Sequence, residues 1–338
     1  MVESPTIEDL TTRVDGDLRN ILGSRHMDLY RMMSYHLGWE DELGNARISM
    51  SGQRSHGVAC LVACHAAAGD MDVALPAASS VELINGFSQI HDDVQGGQPK
   101  RDGRDAMWWI WGPAQGIDTG DGMHALARLS IFRLQEFDIS PATTFRAIQL
   151  IDEASLALCE GRFQDLEAQE RIDLDVDAYL SMASSKTGAL YSCAMKLGAL
   201  VASADGTIID SMSVCGANIG TAMQVRDDLT ALWGNGQQPG SPNPEVLNKK
   251  KLLPVVYALE KANIHEKRRL GEIYFKRVLE TDDVESVRQV LEELGAREYC
   301  EELIRGYCDA AVDAVAGAGV LSEGKAAVSG LVDSLLGS

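Results

Sequence analysis

Two pairs of adjacent aspartates, Asp92-Asp93 and Asp227-Asp228, stand in stretches whose apolar residues recur at helical spacing. Burying two neighbouring carboxylates in such a stretch is costly unless a cation settles between them. Magnesium is the natural candidate, since it takes oxygen ligands, keeps several waters and is usually held by one or two carboxylates together with a substrate's phosphates. Two acidic clusters facing each other would therefore clamp a diphosphate. Gln224 lies three and four residues before the second pair, so Gln224, Asp227 and Asp228 project from one helix face and can share a ligand. After the first pair the chain breaks at Gly96, Gly97 and Pro99 and presents Lys100, Arg101 and Arg104, while Lys186 and the run Lys249, Lys250, Lys251 add further cations. Carboxylates for metal beside cations for phosphate form a coherent set, because a diphosphate keeps negative charge after its metals have bound.

The segments that carry these groups read as helices. Val73 to Ile90, Gly122 to Phe137, Ser140 to Glu160, Val176 to Ala204, Ser211 to Trp233, Leu253 to Lys261 and Val284 to Leu294 all place apolar residues at helical spacing, and strand-like alternation is scarce. An all-α fold is expected. Ser140 followed by Pro141 has the form of an N-cap with proline at the first helical position. Gly234 to Pro244 is the clearest loop, and it reads equally as a lid over a substrate or as a plain surface connection. No repeat or interdomain linker interrupts the chain, so a single domain over residues 1–338 is expected.

Composition narrows the function further. A net charge of −20 argues against nucleic-acid or anionic-membrane partners, which require a basic surface. The longest apolar stretches are broken by Gly, Ser or Lys, so no membrane-spanning segment and no stable membrane insertion are expected. Glu3, Glu8 and Asp9 open the chain where a secretory signal would carry basic residues, and seven cysteines without a CxxC pair fit reduced thiols. A cytoplasmic protein is expected.

Taken in order, several further landmarks accompany the aspartate pairs: Val81-Glu82-Leu83-Ile84 leading to His91, Trp111-Gly112, Gly120-Asp121-Gly122, Glu160-Gly161 with Asp165-Leu166, Lys186-Thr187-Gly188-Ala189-Leu190, and Lys250-Lys251 before Leu253-Pro254. Together they resemble the trans-prenyl diphosphate synthase (polyprenyl synthetase) family, most clearly over residues 40–260. The resemblance implies a type I isoprenoid synthase fold, a helical bundle with the two acidic motifs facing each other across a deep apolar cavity, and a homodimer. It implies an allylic prenyl diphosphate as substrate and three Mg²⁺ ions held with it by Asp92, Asp93, Gln224, Asp227 and Asp228. Arg101, Lys186, Lys250 and Lys251 would bind the diphosphate. Phe87 and Ser88, just before the first pair, would form the pocket floor and point to a substrate of ten to twenty carbons.

The departures from that family pattern shape the expected reaction. Ordinary members extend the allylic chain with isopentenyl diphosphate, whose diphosphate sits in a second cationic site. In this chain Gln53 stands where that site has lysine, His56 and Asp102 where it has arginines, and Asn85 where it has histidine. Gly96, Ala231 and Leu252 depart from the motifs of the first site. Losing cations and gaining an anion implies a disabled isopentenyl diphosphate site, since each charge-assisted contact contributes roughly 1.5–3 kcal/mol. The expected reaction is therefore ionisation of an allylic diphosphate with release of diphosphate and no use of isopentenyl diphosphate, giving a cyclised terpene or an irregular prenyl-transfer product. Ordinary chain elongation is the alternative, and an inactive regulatory paralogue a further one.

Overall fold

The structure, a computed structural model, describes residues 5–47, 54–169, 171, 174–202, 205–234, 246, 250–274, 276 and 279–337. Gln53, Lys249 and all of the Gly234–Pro244 loop except Gly234 lie outside the described residues. As expected, the chain is built from helices.

The first two are α1 (Ile7–Gly23) and α2 (Asp28–His36), and Thr6 and Asp9 close a reciprocal capping box at the start of α1. α3 (Ser55–Ala66) is buried on nearly every side, as an all-apolar helix must be. α4 (Met71–Gln95) is capped by Asp70 and starts two residues earlier than its apolar pattern predicts; Pro76 sits inside it, leaving the Asp72 carbonyl without an intrahelical donor. α5 (Met107–Trp111), α6 (Pro113–Phe132) and α7 (Pro141–Ala168) follow, the last capped by Ser140 with Pro141 at its first position, as the sequence predicts.

The long apolar stretch from Val176 is not one helix. It divides into α8 (Val176–Ala183), a π-helical turn over Ser184–Gly188 and α9 (Ala189–Val201). α10 (Gly206–Trp233) carries the second aspartate pair in its C-terminal part. α3, α4, α6, α7, α9 and α10 share one large apolar core with the C-terminal helix, while the end of α10 and the helices between Leu253 and Glu293 enclose a smaller one.

Sheet structure among the described residues amounts to a two-residue hairpin and one bridge between Glu40 and Ala46. In the hairpin, Lys100 pairs with Asp105 and Arg101 with Arg104, and Asp102 and Gly103 form the turn with φ of +50° and +75°. Asp-Gly is the usual choice for a two-residue turn that needs positive φ at both positions.

Candidate active site

Asp92 and Asp93 end α4, where the negative end of the helix dipole disfavours carboxylates and calls for nearby cations. Each has one. Asp93, its side chain 4% exposed, receives a two-pronged bond from Arg101 at 2.7 and 2.9 Å. Burial opposes charge on Arg101, but its bond to Asp93 and the neighbouring carboxylates raise its pKa above the usual arginine value. Asp92 lies 2.5 Å from Nε of Arg162 on α7.

On α10, Gln224, Asp227 and Asp228 share a face as predicted, but the two aspartates differ. Asp228 is buried and accepts bonds from the Tyr179 hydroxyl, from the Leu253 N–H at 2.7 Å and from the Gln224 amide at 3.1 Å. Gln224 is itself oriented by the Thr187 hydroxyl, 2.7 Å away. Asp227 reaches outward beside Arg226, at 3.2 Å.

Lys186 comes from the π-turn, a local widening of the helix common at functional sites. Glycines make room for it: a Cβ on Gly161 would come 2.4 Å from the Lys186 nitrogen, and one on Gly220 would come 2.7 Å from the Thr187 carbonyl oxygen. The Lys186 ammonium bonds Asp165 at 2.6 Å, and Lys250 stands 3.9 Å from the same carboxylate. Burial raises the Asp165 carboxyl, yet the combined pull of Lys186 and Lys250, with Arg162 behind them, brings it below its ordinary value.

Three adjoining cavities join these groups. The innermost, about 320 Å³, is lined by Asp92 from α4 and by Gln224, Asp227 and Asp228 from α10, together with Lys186 and Lys250. The facing of the two acidic motifs predicted from the sequence is thus what the helices build. A second cavity, about 530 Å³, gathers Asp92, Asp93, Arg162, Asp165, Lys186 and Lys250. The third, about 520 Å³, is lined by Arg47, Arg54, Arg101, Arg104 and Arg226. It shares Ser55, Asn85, Gln89, Arg101 and Asp227 with the innermost one.

This third cavity bears on the positions read as lost cations. Asn85 and Asp102 line it, but Asp102 is there as the turn residue of the hairpin that brings Arg101 and Arg104 into it. His56 is buried, its ring tilted by 31° against that of Tyr191 at a centroid distance of 4.0 Å, and burial depresses its pKa, disfavouring the charged form. Arg104 donates to the Tyr35 and His36 carbonyls at 3.0 and 3.4 Å. Among the described residues neither Arg104 nor Arg47 pairs with a carboxylate. Arg54 is held by Asp15 and by the Leu37 carbonyl. The local field shows in His36, whose pKa falls to about 3, first through burial and then through Arg101, Arg54 and Arg104. The expectation of a second site stripped of its cations is corrected to this extent: Arg47, Arg54, Arg101, Arg104 and Arg226 line the cavity, beside the acidic Glu82, Asp102 and Asp227.

Other expectations meet mixed placements. Ser88 lines the innermost cavity, whereas Phe87 packs edge-on between His91 and His124, 4.7 and 5.1 Å from their rings. Lys250 lines two cavities and Lys251, half-buried, lines neither. Arg162, Tyr179, Arg47 and Arg226 escaped the sequence reading. Arg162 alone had a visible signal, a charge one helical turn before Asp165 in a segment already singled out.

Comparison with known proteins agrees with this architecture. Geranylgeranyl diphosphate synthase of Mycobacterium tuberculosis is 35% identical over 243 residues, 72% of this chain and 68% of that one. The (2E,6E)-farnesyl diphosphate synthase of Mycobacterium bovis is 30% identical over 321 residues, 94% and 85% of the two chains. Among solved structures, a polyprenyl synthetase from Streptomyces coelicolor A3(2) superposes with a TM-score of 0.88 at 28% identity, covering 97% of this chain and 98% of its own. The fold is accordingly the all-α isoprenoid synthase bundle. The polyprenyl synthetase family model matches residues 39–294, and the chain belongs to that family.

Proposed function

We propose that this enzyme elongates an allylic prenyl diphosphate of short to medium length with isopentenyl diphosphate. The observation that carries the reading is the arginine-lined cavity adjoining the cavity of the two acidic motifs, so that two cavities with cationic side chains lie side by side. Relatives named as geranylgeranyl and farnesyl diphosphate synthases support it. They also overturn the expectation of a reaction that leaves isopentenyl diphosphate unused, whether terpene-forming or irregular.

In this reaction the allylic carbon–oxygen bond breaks and diphosphate leaves with the electron pair. The double bond of isopentenyl diphosphate forms the new carbon–carbon bond, and loss of a proton restores a double bond. Lys186 and Lys250 hold the leaving diphosphate as its charge grows. Arg104 and Arg47 hold the acceptor's diphosphate, and Arg101 stands between the two sites. The apolar core beneath keeps water from the cation.

Magnesium dependence is general to the family, and the donor set here is all oxygen, from Asp92, Asp227, Asp228 and the Gln224 amide. Among the described residues no three acidic, histidine or cysteine groups form a ready cage. That suits a metal held by one or two carboxylates plus phosphate. When bound it neutralises charge on the departing diphosphate.

The test is incubation with ten-, fifteen- and twenty-carbon allylic diphosphates and Mg²⁺, with and without isopentenyl diphosphate. Longer linear prenols, recovered after dephosphorylation, are expected only when isopentenyl diphosphate is present, and chelation should stop their formation. Cyclic hydrocarbon formed in its absence overturns the reading.

A homodimer is part of the same proposal. Phe145, Leu156 and Phe163 recur on one face of α7, Leu129 and Phe132 lie a turn apart on α6, and all are large and exposed. Sedimentation at micromolar concentration is expected to report twice the 36.5 kDa of the chain. A monomer mass there would count against this part. Among the described residues no helix is long and apolar enough to cross a membrane.

A further inference from the structure

The first aspartate pair carries a cation of its own. We propose that Arg162 is a positioning residue that holds Asp92 and competes with Mg²⁺ for it, so that its guanidinium sets the Mg²⁺ concentration at which the first pair loads. The inference rests on reading this cavity as the Mg²⁺–diphosphate site.

The guanidinium is built in. Arg162 is 6% exposed, and one of its terminal nitrogens donates to both the carbonyl and the hydroxyl oxygen of Ser88, at 2.8 and 2.6 Å. Ser88 lies one turn before Asp92 on α4, so the helix that carries the carboxylate also fixes its cation. The remaining contact is charge more than hydrogen bond: Nε is 2.5 Å from Asp92 Oδ1, yet this buried N–H has no aligned acceptor. A guanidinium cannot lose its proton at any working pH, so the positive charge is permanent. Asp93 is already engaged by Arg101, which leaves Asp92 as the carboxylate of this pair that lines the innermost cavity. Position 96, where a third carboxylate would add to the pair, is glycine. A divalent cation approaching Asp92 meets a fixed charge a few ångströms away, and with Arg162 buried and Asp92 partly buried that repulsion is screened less than at the surface.

Arg162 is also one of three cations set against three carboxylates in this cavity. Asp92, Asp93 and Asp165 converge on one cavity, and Arg162, Arg101 and Lys186 each stand within ion-pair distance of one of them.

The test is a calorimetric titration of Mg²⁺ into enzyme at saturating inorganic diphosphate, which reads binding without turnover. Arg162→Gln is expected to lower the half-saturating Mg²⁺ concentration about tenfold, equivalent to about 1.4 kcal/mol. Arg162→Lys keeps the charge and should stay near wild type. Ser88→Ala removes only the hydroxyl that pins the guanidinium and should shift the midpoint the same way by about twofold; it also serves if Arg162→Gln fails to fold. An unchanged or higher Mg²⁺ requirement in Arg162→Gln overturns the proposal, as does Arg162→Lys shifting as far as Arg162→Gln. Absence of chain elongation would overturn the proposed reaction and leave this titration readable, whereas an unchanged midpoint in an elongating enzyme overturns the role of Arg162 alone.

Discussion

Asp92→Asn is expected to lower kcat/KM for the allylic substrate by on the order of 10³-fold, about 4 kcal/mol of transition-state stabilisation. The substitution keeps shape and hydrogen-bonding capacity but removes the charge that faces Asp227 and Asp228 across the innermost cavity. Two effects on stability oppose each other. The carboxylate sits unfavourably at the C-terminal end of α4, so losing its charge relieves a dipole penalty of about 0.3–1 kcal/mol. Arg162 loses its counter-charge but keeps both bonds to Ser88. With the Asp92 side chain 31% exposed, water compensates part of that loss. A net change in unfolding free energy within about 2 kcal/mol leaves a domain of ordinary stability folded at assay temperature. Steady-state kinetics beside urea denaturation separates catalysis from folding, and a rate loss below tenfold would refute the role given to Asp92.

Arg104→Ala tests the other half of the site. KM for isopentenyl diphosphate should rise by roughly 10- to 100-fold, the equivalent of one charge-assisted contact of about 1.5–3 kcal/mol, while KM for the allylic substrate moves much less. The contrast follows from placement, because Arg104 lines the arginine-rich cavity and neither of the two that hold the aspartates of α4. Arg104→Lys separates charge from shape: it preserves the cation but cannot reach the Tyr35 and His36 carbonyls in the same fork. Partial recovery in the lysine variant is the expected result. Equal rises in both KM values would mean that Arg104 acts by holding the hairpin in place, and the two-site assignment would fail.

Much of the catalytic face could be read from residue order because it depends on helical geometry. Gln224, Asp227 and Asp228 share a side by periodicity alone, Ser140-Pro141 marks the start of α7, and the first pair falls at the end of a helix that Gly96 and Gly97 terminate. The π-turn was not legible, because the rotation of about 100° that one extra residue imposes on the helix face does not show in a stretch that is apolar nearly all round. Nor could Asp102 be interpreted in one dimension. Compared position by position it is a charge reversal in an anion site; in the folded chain it is the positive-φ residue of a turn, required by the pairing of Arg101 with Arg104.

The helical class, the family and the shared face of Gln224, Asp227 and Asp228 are therefore properties of local order, because periodicity and motif spacing act over a few turns of chain. The charge of the arginine-lined cavity and the cation set against Asp92 belong to tertiary structure. Arg47, Arg54, Arg104 and Arg226 come from segments scattered over more than half the chain, and Arg162 meets Asp92 across two helices. Electrostatic fields sum over distance in space, so a site that has lost cations at its usual positions can regain them from any element that packs against it.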